Sequence, residues 1–274
     1  MKVDYISDLH LDFHIRHNGN YGKWENKTHL FLEKLLPDNK GEVLVIAGDL
    51  SHYNIQSKWC LEYFSKQYEH VFFVMGNHDY YLISGGQNKK YKNNSINREF
   101  ELMKLIPSLN NVTHLYDFEE FSYNRIKIAG STLWYPLQEQ KDIDFFNNIS
   151  NDSKLIKKLD VVAEHSYETF KYEYMEEVDI LVTHVPPDIL QSHIKYDSTS
   201  CYLNELENIK AKHVVTGHVH EQNKYYNTDG TNIYINALGY PNEWLNHMNP
   251  LEYSKEERQK FALEWNVIKS FEVK

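Results

Sequence analysis

The chain has 274 residues, enough to bury a large core, and its 25% charged content is ordinary for a soluble globular protein. A net charge of −10 argues against an open, nonspecific nucleic-acid surface, which needs Lys and Arg to neutralise many phosphates, although a local basic groove stays open. The longest apolar runs, VLVIAG and VFFVMG, fall far short of the roughly 20 residues a membrane span requires, and no signal-peptide pattern precedes the first strand, which points to the cytoplasm.

No Pro, Gly or Ser-rich stretch reads as a linker, so residues 1–274 are expected to form one domain. Cys60 and Cys201 are too few for a disulfide framework or a Cys-based zinc site, and read as core or surface thiols. In chain order the strand-like runs are KVDYISDLH, EVLVIAGDL, HVFFVMGNHD, RIKIAGSTLW, VDILVTHVPP, AKHVVTGHVH and NIYINALGY. Helix-like segments THLFLEKLL, SKWCLEYFSKQY and INREFELMKLI separate the early ones. The alternation predicts an α/β fold of βαβ units, in which ligands gather beyond the carboxyl ends of the strands.

Several runs end on chemistry at that place: Asp8, Asp49, Asn77, His184, His218 and His220. Singly these say little. A lone His such as His70 or His114 is usually a surface or hydrogen-bonded core residue, and Gly48-Asp49 alone reads as a turn. Together they are hard to explain as a folding device, because burying carboxylates side by side is costly unless a cation compensates them.

The ordered series Asp8-Leu9-His10, Gly48-Asp49, Gly76-Asn77-His78-Asp79, Thr183-His184 and Gly217-His218-Val219-His220 resembles the calcineurin-like metallophosphoesterase superfamily, in its small bacterial-type phosphoesterase and phosphodiesterase branch. The resemblance implies a four-layer αββα sandwich of two mixed sheets flanked by helices, with a two-metal centre at one edge. It assigns Asp8, His10 and His220 to one divalent ion, Asn77, His184 and His218 to the other, and Asp49 to both. Carboxylate, imidazole and amide donors without thiolates suit manganese first, with iron and zinc as alternatives. Gly48, Gly76 and Gly217 precede ligands where the backbone must turn sharply, which suits residues free to take positive φ.

In the family, a hydroxide bridging the two metals attacks phosphorus, and the His of the third motif, here His78, protonates the leaving oxygen. Asp79 is then expected to orient the His78 imidazole and stabilise its charged form. Asp12 and His14 fall outside the motif; they read as a neighbour of the ligands and a substrate-facing group, or as a solvated loop.

Substrate is less determined. The Ser/Thr protein phosphatases of the superfamily carry a longer second motif with an arginine, whereas this chain reads GDLSHYN. A small phosphodiester or nucleotide is therefore the expected substrate. A DNA or RNA nuclease is the alternative, disfavoured because only about fifty residues follow the last motif, too few for a typical capping domain. A noncatalytic scaffold would have no need for so many clustered ligands. Oligomeric state is left open.

Three segments lie outside the motifs. Residues 83–98, with Gly85 and Gly86 as a hinge and Lys89, Lys90, Lys92 and Arg98 as charges, read as a mobile flap for anionic substrate or as a solvated loop. Residues 135–175 read as a lid bearing Asn147, Asn148 or His165, or as a helix packed with Phe145, Leu155 and Val162 inward. Residues 256–273 are ambiguous between helix and strand.

Overall fold

A computed structural model of the protein describes residues 1–187, 200–206, 208–228, 230–244 and 267–273. The seven runs become strands β1 (Lys2–Ile6), β2 (Val43–Ala47), β3 (His70–Val74), β6 (Ile126–Ser131), β7 (Val178–Thr183), β8 (Ala211–Thr216) and β10 (Thr231–Ile235). Among the described residues four short edge strands join them: β4 (Val112–His114), β5 (Phe121–Tyr123), β9 (Lys224–Thr228) and β11 (Lys269–Glu272). They form two mixed sheets, one ordered β11-β1-β2-β3-β4 and the other β5-β6-β7-β8-β10-β9. In each, the central pairs are parallel and an antiparallel strand closes at least one edge.

Strand β2 shows why its own run is apolar throughout rather than alternating. Val43, Val45 and Ala47 turn toward the second sheet, where they meet Val3, Phe72, Ile128, Ile180 and Val215. Leu44 and Ile46 turn the other way, onto Leu32 and Leu35 of α2 (Tyr21–Leu35), Leu61 and Phe64 of α3 (Asn54–Ser65) and Leu102 of α5 (Ser95–Leu105). A strand covered on both faces needs an apolar residue at every position. The outer face of the second sheet, with Ala129, Leu181, Val214 and Ile233, is covered by α8 (Val161–Tyr174) through Tyr172. The order is helices, sheet, sheet, helix, the αββα sandwich expected.

The helices begin where polar side chains can receive free backbone N–H groups: Asn20 caps α2, Asn94 caps α5 and Asp160 caps α8. Along α2, Trp24, Thr28, Leu32 and Leu35 are buried at helical spacing, which turns one stripe to the sheet.

Residues 83–98 are largely helical and tied to the body of the protein. Ser84 caps α4 (Gly85–Lys90), so Gly85 and Gly86 open a helix, and the Gln87 side chain donates to the His52 carbonyl at 2.7 Å. Arg98 is buried, and its guanidinium donates to the carbonyls of His78 (2.7 Å), Tyr81 (2.9 Å) and Ser51 (2.5 Å). Lys90 pairs with Glu101 at 2.7 Å. Lys89, Lys90 and Lys92 are exposed charges, Lys90 within its ion pair.

The insertion 135–175 holds α6 (Gln140–Asn148), α7 (Asp152–Leu155) and α8. Phe145 and Leu155 pack against the core, whereas Val162 is 43% exposed. Asn147 is exposed, Asn148 donates to the Asp144 carbonyl, and His165 contacts Asn204 at 2.9 Å; none of the three is among the residues that line the cleft described below. Residues 256–266 lie outside the described residues, and residues 267–273 include β11, antiparallel to β1. Among the described residues no helix is long and apolar enough to cross a membrane.

Candidate metal centre and catalytic cleft

The loops after β1, β2, β3, β7 and β8 meet at one edge of the sandwich and are tied to each other by their backbones. Asp8 N–H donates to the Gly48 carbonyl (3.0 Å), His10 N–H to Asp49 (2.9 Å) and Gly217 N–H to His184 (2.9 Å). The turns are made by the functional residues themselves: Asp8, His10, Asp49, His218 and His220 have φ of 51°, 40°, 57°, 68° and 51°. Each left-handed non-glycine residue costs about 1–2 kcal/mol, and such strain persists where the surroundings over-determine it, typically at functional sites.

The glycines have a different role from the one expected. Only Gly48 takes positive φ, 86°, whereas Gly76 is extended at −106°. What Gly76 and Gly217 provide is room. A Cβ on Gly76 would overlap the Asp49 carboxylate, and one on Gly217 would lie 2.7 Å from Asp8 Oδ2.

Two groups of donors share Asp49. Asp8, His10, Asp49 and His220 offer ligand atoms within 4.8 Å of one another, with His10 Nε2 2.9 Å from His220 Nε2 and 3.6 Å from Asp49 Oδ2. On the other side, His184 Nε2 lies 3.0 Å from Asn77 Oδ1 and 3.5 Å from the same Asp49 Oδ2. The His218 ring is 5.0 Å from that of His184.

The outer nitrogens of these histidines settle where their protons sit. His184 Nδ1 faces the Ala47 carbonyl (2.9 Å), His218 Nε2 the Cys201 carbonyl (2.9 Å) and His220 Nδ1 the Glu243 carboxylate (2.9 Å). Those oxygens only accept, so the facing nitrogens carry hydrogen and the lone pairs of His184 Nε2, His218 Nδ1 and His220 Nε2 point inward. His184 Nε2 against Asn77 Oδ1 and against Asp49 Oδ2 are then contacts between acceptors. A cation reconciles them, and the donor set fits a divalent ion.

The electrostatics agree. Burial, reinforced by Asp8 and Asp79, pushes the Asp49 carboxyl well above the usual range. Burial, then His78 and His220, holds His10 well below the ordinary imidazole value, and burial takes His218 down to about 4. Burial acts against His220 too, but Glu243 and Asp8 outweigh it and raise that ring. A carboxylate that burial and like charges make costly to ionise, beside His10, His184 and His218 held toward their neutral forms, is a site whose charge a bound cation would compensate.

His78 lies beside this centre. Its ring faces Tyr81 at 4.2 Å and His10 at 4.6 Å, and its Nε2 is 3.3 Å from the Tyr240 hydroxyl. Asp79 does not orient it: the Asp79 carboxylate accepts the backbone N–H groups of Asp49 (2.9 Å), Leu50 (3.1 Å) and Gly76 (3.0 Å), bracing two loops against each other. His52 takes the place expected of Asp79. His52 Nε2 is 2.9 Å from His78 Nδ1, and His52 Nδ1 is 2.8 Å from Asp12 Oδ2. Because the carboxylate only accepts, His52 Nδ1 holds the proton and Nε2 accepts from His78.

Asp12 is thus a neighbour of the site rather than a solvated loop residue. His14 contacts the Gly239 carbonyl at 2.9 Å, on the loop that carries Tyr240. The sequence reading missed His52, Tyr240 and Glu243. His52 stands three residues after Asp49 with nothing in the linear pattern to single it out, and Tyr240 is the last residue of the run NIYINALGY. Tyr240 stacks on His10 at 4.5 Å and 28°.

Asp49, Asn77, His78, His218, His220 and Tyr240 line a cleft of about 260 Å³, together with the apolar side chains of Phe145, Ile149, Tyr202 and Val219. Cys201 and Cys60 are both buried, and Cys201 contributes its carbonyl to the centre rather than its thiol.

A two-sheet sandwich that gathers Asp, Asn and His donors at one edge, around a shared carboxylate, defines a metal-dependent phosphoesterase. Residues 1–222 match the family described as calcineurin-like phosphoesterase, and the chain belongs to that family. An uncharacterized protein of Acanthamoeba polyphaga mimivirus is 27% identical over 289 aligned positions, which span 91% of this chain and 94% of that one. Among solved structures, the phosphopantetheinyl hydrolase of Mycobacterium tuberculosis superposes with a TM-score of 0.69 at 17% identity, covering 98% of this chain and 95% of its own, a likeness of fold.

Proposed function

We propose that the protein hydrolyses a small phosphodiester at a two-metal centre, with manganese as the preferred ion. The observation that carries this reading is Asp49 Oδ2, which lies 3.6 Å from His10 Nε2 and 3.5 Å from His184 Nε2 and so stands between two donor groups. Asp8, His10 and His220 would hold one ion, Asn77, His184 and His218 the other, and Asp49 both. When bound, such a pair lowers the pKa of a shared water and neutralises charge on phosphoryl oxygens.

The chain's own residues supply the rest. His78 presents Nε2 to the cleft beside Tyr240 and is suited to hold the proton that the leaving oxygen needs. Its Nδ1 side is occupied by His52, which fixes the ring. Among the described residues that line the cleft there is no lysine or arginine, while Asp152 and Glu243 add negative charge. Such a lining suits a monoanionic diester better than a polyphosphate or an oligonucleotide. The apolar wall of Phe145, Ile149, Tyr202 and Val219 suits an organic arm on that diester. The name of the structural relative, phosphopantetheinyl hydrolase, is in keeping with a small substrate of this kind.

The test is turnover by manganese-loaded protein of matched phosphodiesters, phosphomonoesters, nucleotides and oligonucleotides. Small diesters should rank first in kcat/KM. Preference for oligonucleotides, or for monoesters alone, would overturn the reading.

A further inference from the structure

Asn77 is the only amide in the donor set, and an amide side chain has almost the same shape when flipped end for end. Sterics therefore cannot decide whether Oδ1 or the NH2 group faces the centre; hydrogen-bond partners must. The insertion supplies the deciding partner. Asp152, at the start of α7 and buried, accepts from Asn77 Nδ2 at 2.8 Å and from the hydroxyls of Tyr81 and Tyr135. All three contacts run toward the carboxylate, which has nothing to donate.

We propose that Asp152 is a positioning residue that locks the Asn77 amide with Oδ1 toward His184 and Asp49, and thereby sets the affinity for the second divalent ion. The proposal rests on the two-ion reading above. In the flipped amide, Oδ1 would face a carboxylate and the NH2 group would face the ion, so both ends would be wrong at once. The same carboxylate touches a second member of this donor group indirectly. Tyr135, whose hydroxyl it receives, lies with its ring 6.0 Å from that of His218 at 22°. The insertion is held in register for this: Leu82 N–H donates to the Leu155 carbonyl at 2.9 Å, which ties α7 to the segment after Asn77.

The experiment is Mn2+ titration by calorimetry, with bound metal counted by elemental analysis, on the full chain, on Asp152→Asn, and on the reciprocal swap Asp152→Asn/Asn77→Asp. The full chain should take two ions. Asp152→Asn should weaken one of them by about 10- to 100-fold, as losing a partner that orients a ligand does, and leave the other within about threefold. The retained ion also reports that the variant is folded. The swap should restore the weakened ion, because a carboxylate at position 77 has no wrong end, and the amide at 152 can donate to it.

Unchanged binding in Asp152→Asn, equal weakening of both ions as expected from lost charge alone, or a swap as weak as the single variant would each overturn the assignment while leaving the two-ion reading intact. Fewer than two ions on the full chain would overturn that reading and this assignment with it.

Discussion

Changing His52 to phenylalanine isolates one contact. The flat ring can keep its stacking on Tyr81 (5.6 Å, 11°) and on His78 (5.0 Å, 27°) while losing the nitrogen 2.9 Å from His78 Nδ1 and the one 2.8 Å from Asp12. Burial holds the His78 ring well below the ordinary imidazole value, and the nearby His52 and His220 rings add to the effect, while the His52 Nε2 lone pair accepts the His78 Nδ1 hydrogen and holds the ring in place. A hydrogen bond to a charged group contributes about 1.5–3 kcal/mol, which corresponds to about 10- to 150-fold in rate. We expect kcat to fall by that factor for an alkyl or nucleoside diester, whose leaving oxygen needs a proton, and to change little for a nitrophenyl diester. Metal content should stay that of the parent. Equal losses on both ester types, or a loss of bound metal, would refute the reasoning.

Asp49→Asn should raise the melting temperature of ion-free protein, by removing a buried negative charge, and should abolish the further rise that Mn2+ gives the parent; scanning calorimetry with and without Mn2+ checks both, and a retained Mn2+ effect contradicts the shared role of Asp49. Glu168 is buried against Ser131 and the Trp134 N–H, and burial raises its carboxyl from 4.5 to about 7. The fold then keeps a proton that the unfolded chain has lost, so stability declines as pH rises from 4.5 through about 7, by about 3 kcal/mol for this group. Glu168→Gln should flatten that part of the pH–stability curve measured by urea unfolding; an unaltered slope would show that the group is not responsible.

The strands that carry the site were legible because they are buried on both faces. A run such as VLVIA has no polar position to confuse it, and five of the seven runs, all but those of β6 and β10, end in a motif. The edge strands were not legible. β4 and β5 have three residues each, none of them buried in either strand, and β11 pairs with β1 from the far end of the chain. Spacing within Asp8-x-His10 and His218-x-His220 pointed to the donors, but no linear pattern can report that Asp12, His52 and His78 line up across three loops. Charge counting misplaced Arg98 for the same reason: its four partners, Ser51, Asn54, His78 and Tyr81, lie up to 47 residues away.

Arg98 and Asp79 together explain how so acidic an edge holds its shape. Asp79 collects three backbone N–H groups from the loops after β2 and β3, and Arg98 donates to three carbonyls of the same region. Asp8 receives the His218 N–H, and Asp152 receives an amide and two hydroxyls. The Asp79 and Asp152 carboxylates are compensated by protein donors and work as braces. Asp49 differs. Its Oδ1 takes the His78 N–H at 2.9 Å, but its Oδ2 faces two imidazole nitrogens, and one of them, on His184, offers only a lone pair. A scaffold built for stability alone would have supplied a donor there. The left-handed backbone at Asp49 and its neighbours keeps that oxygen aimed at the place where a cation, rather than a hydrogen bond, completes the arrangement.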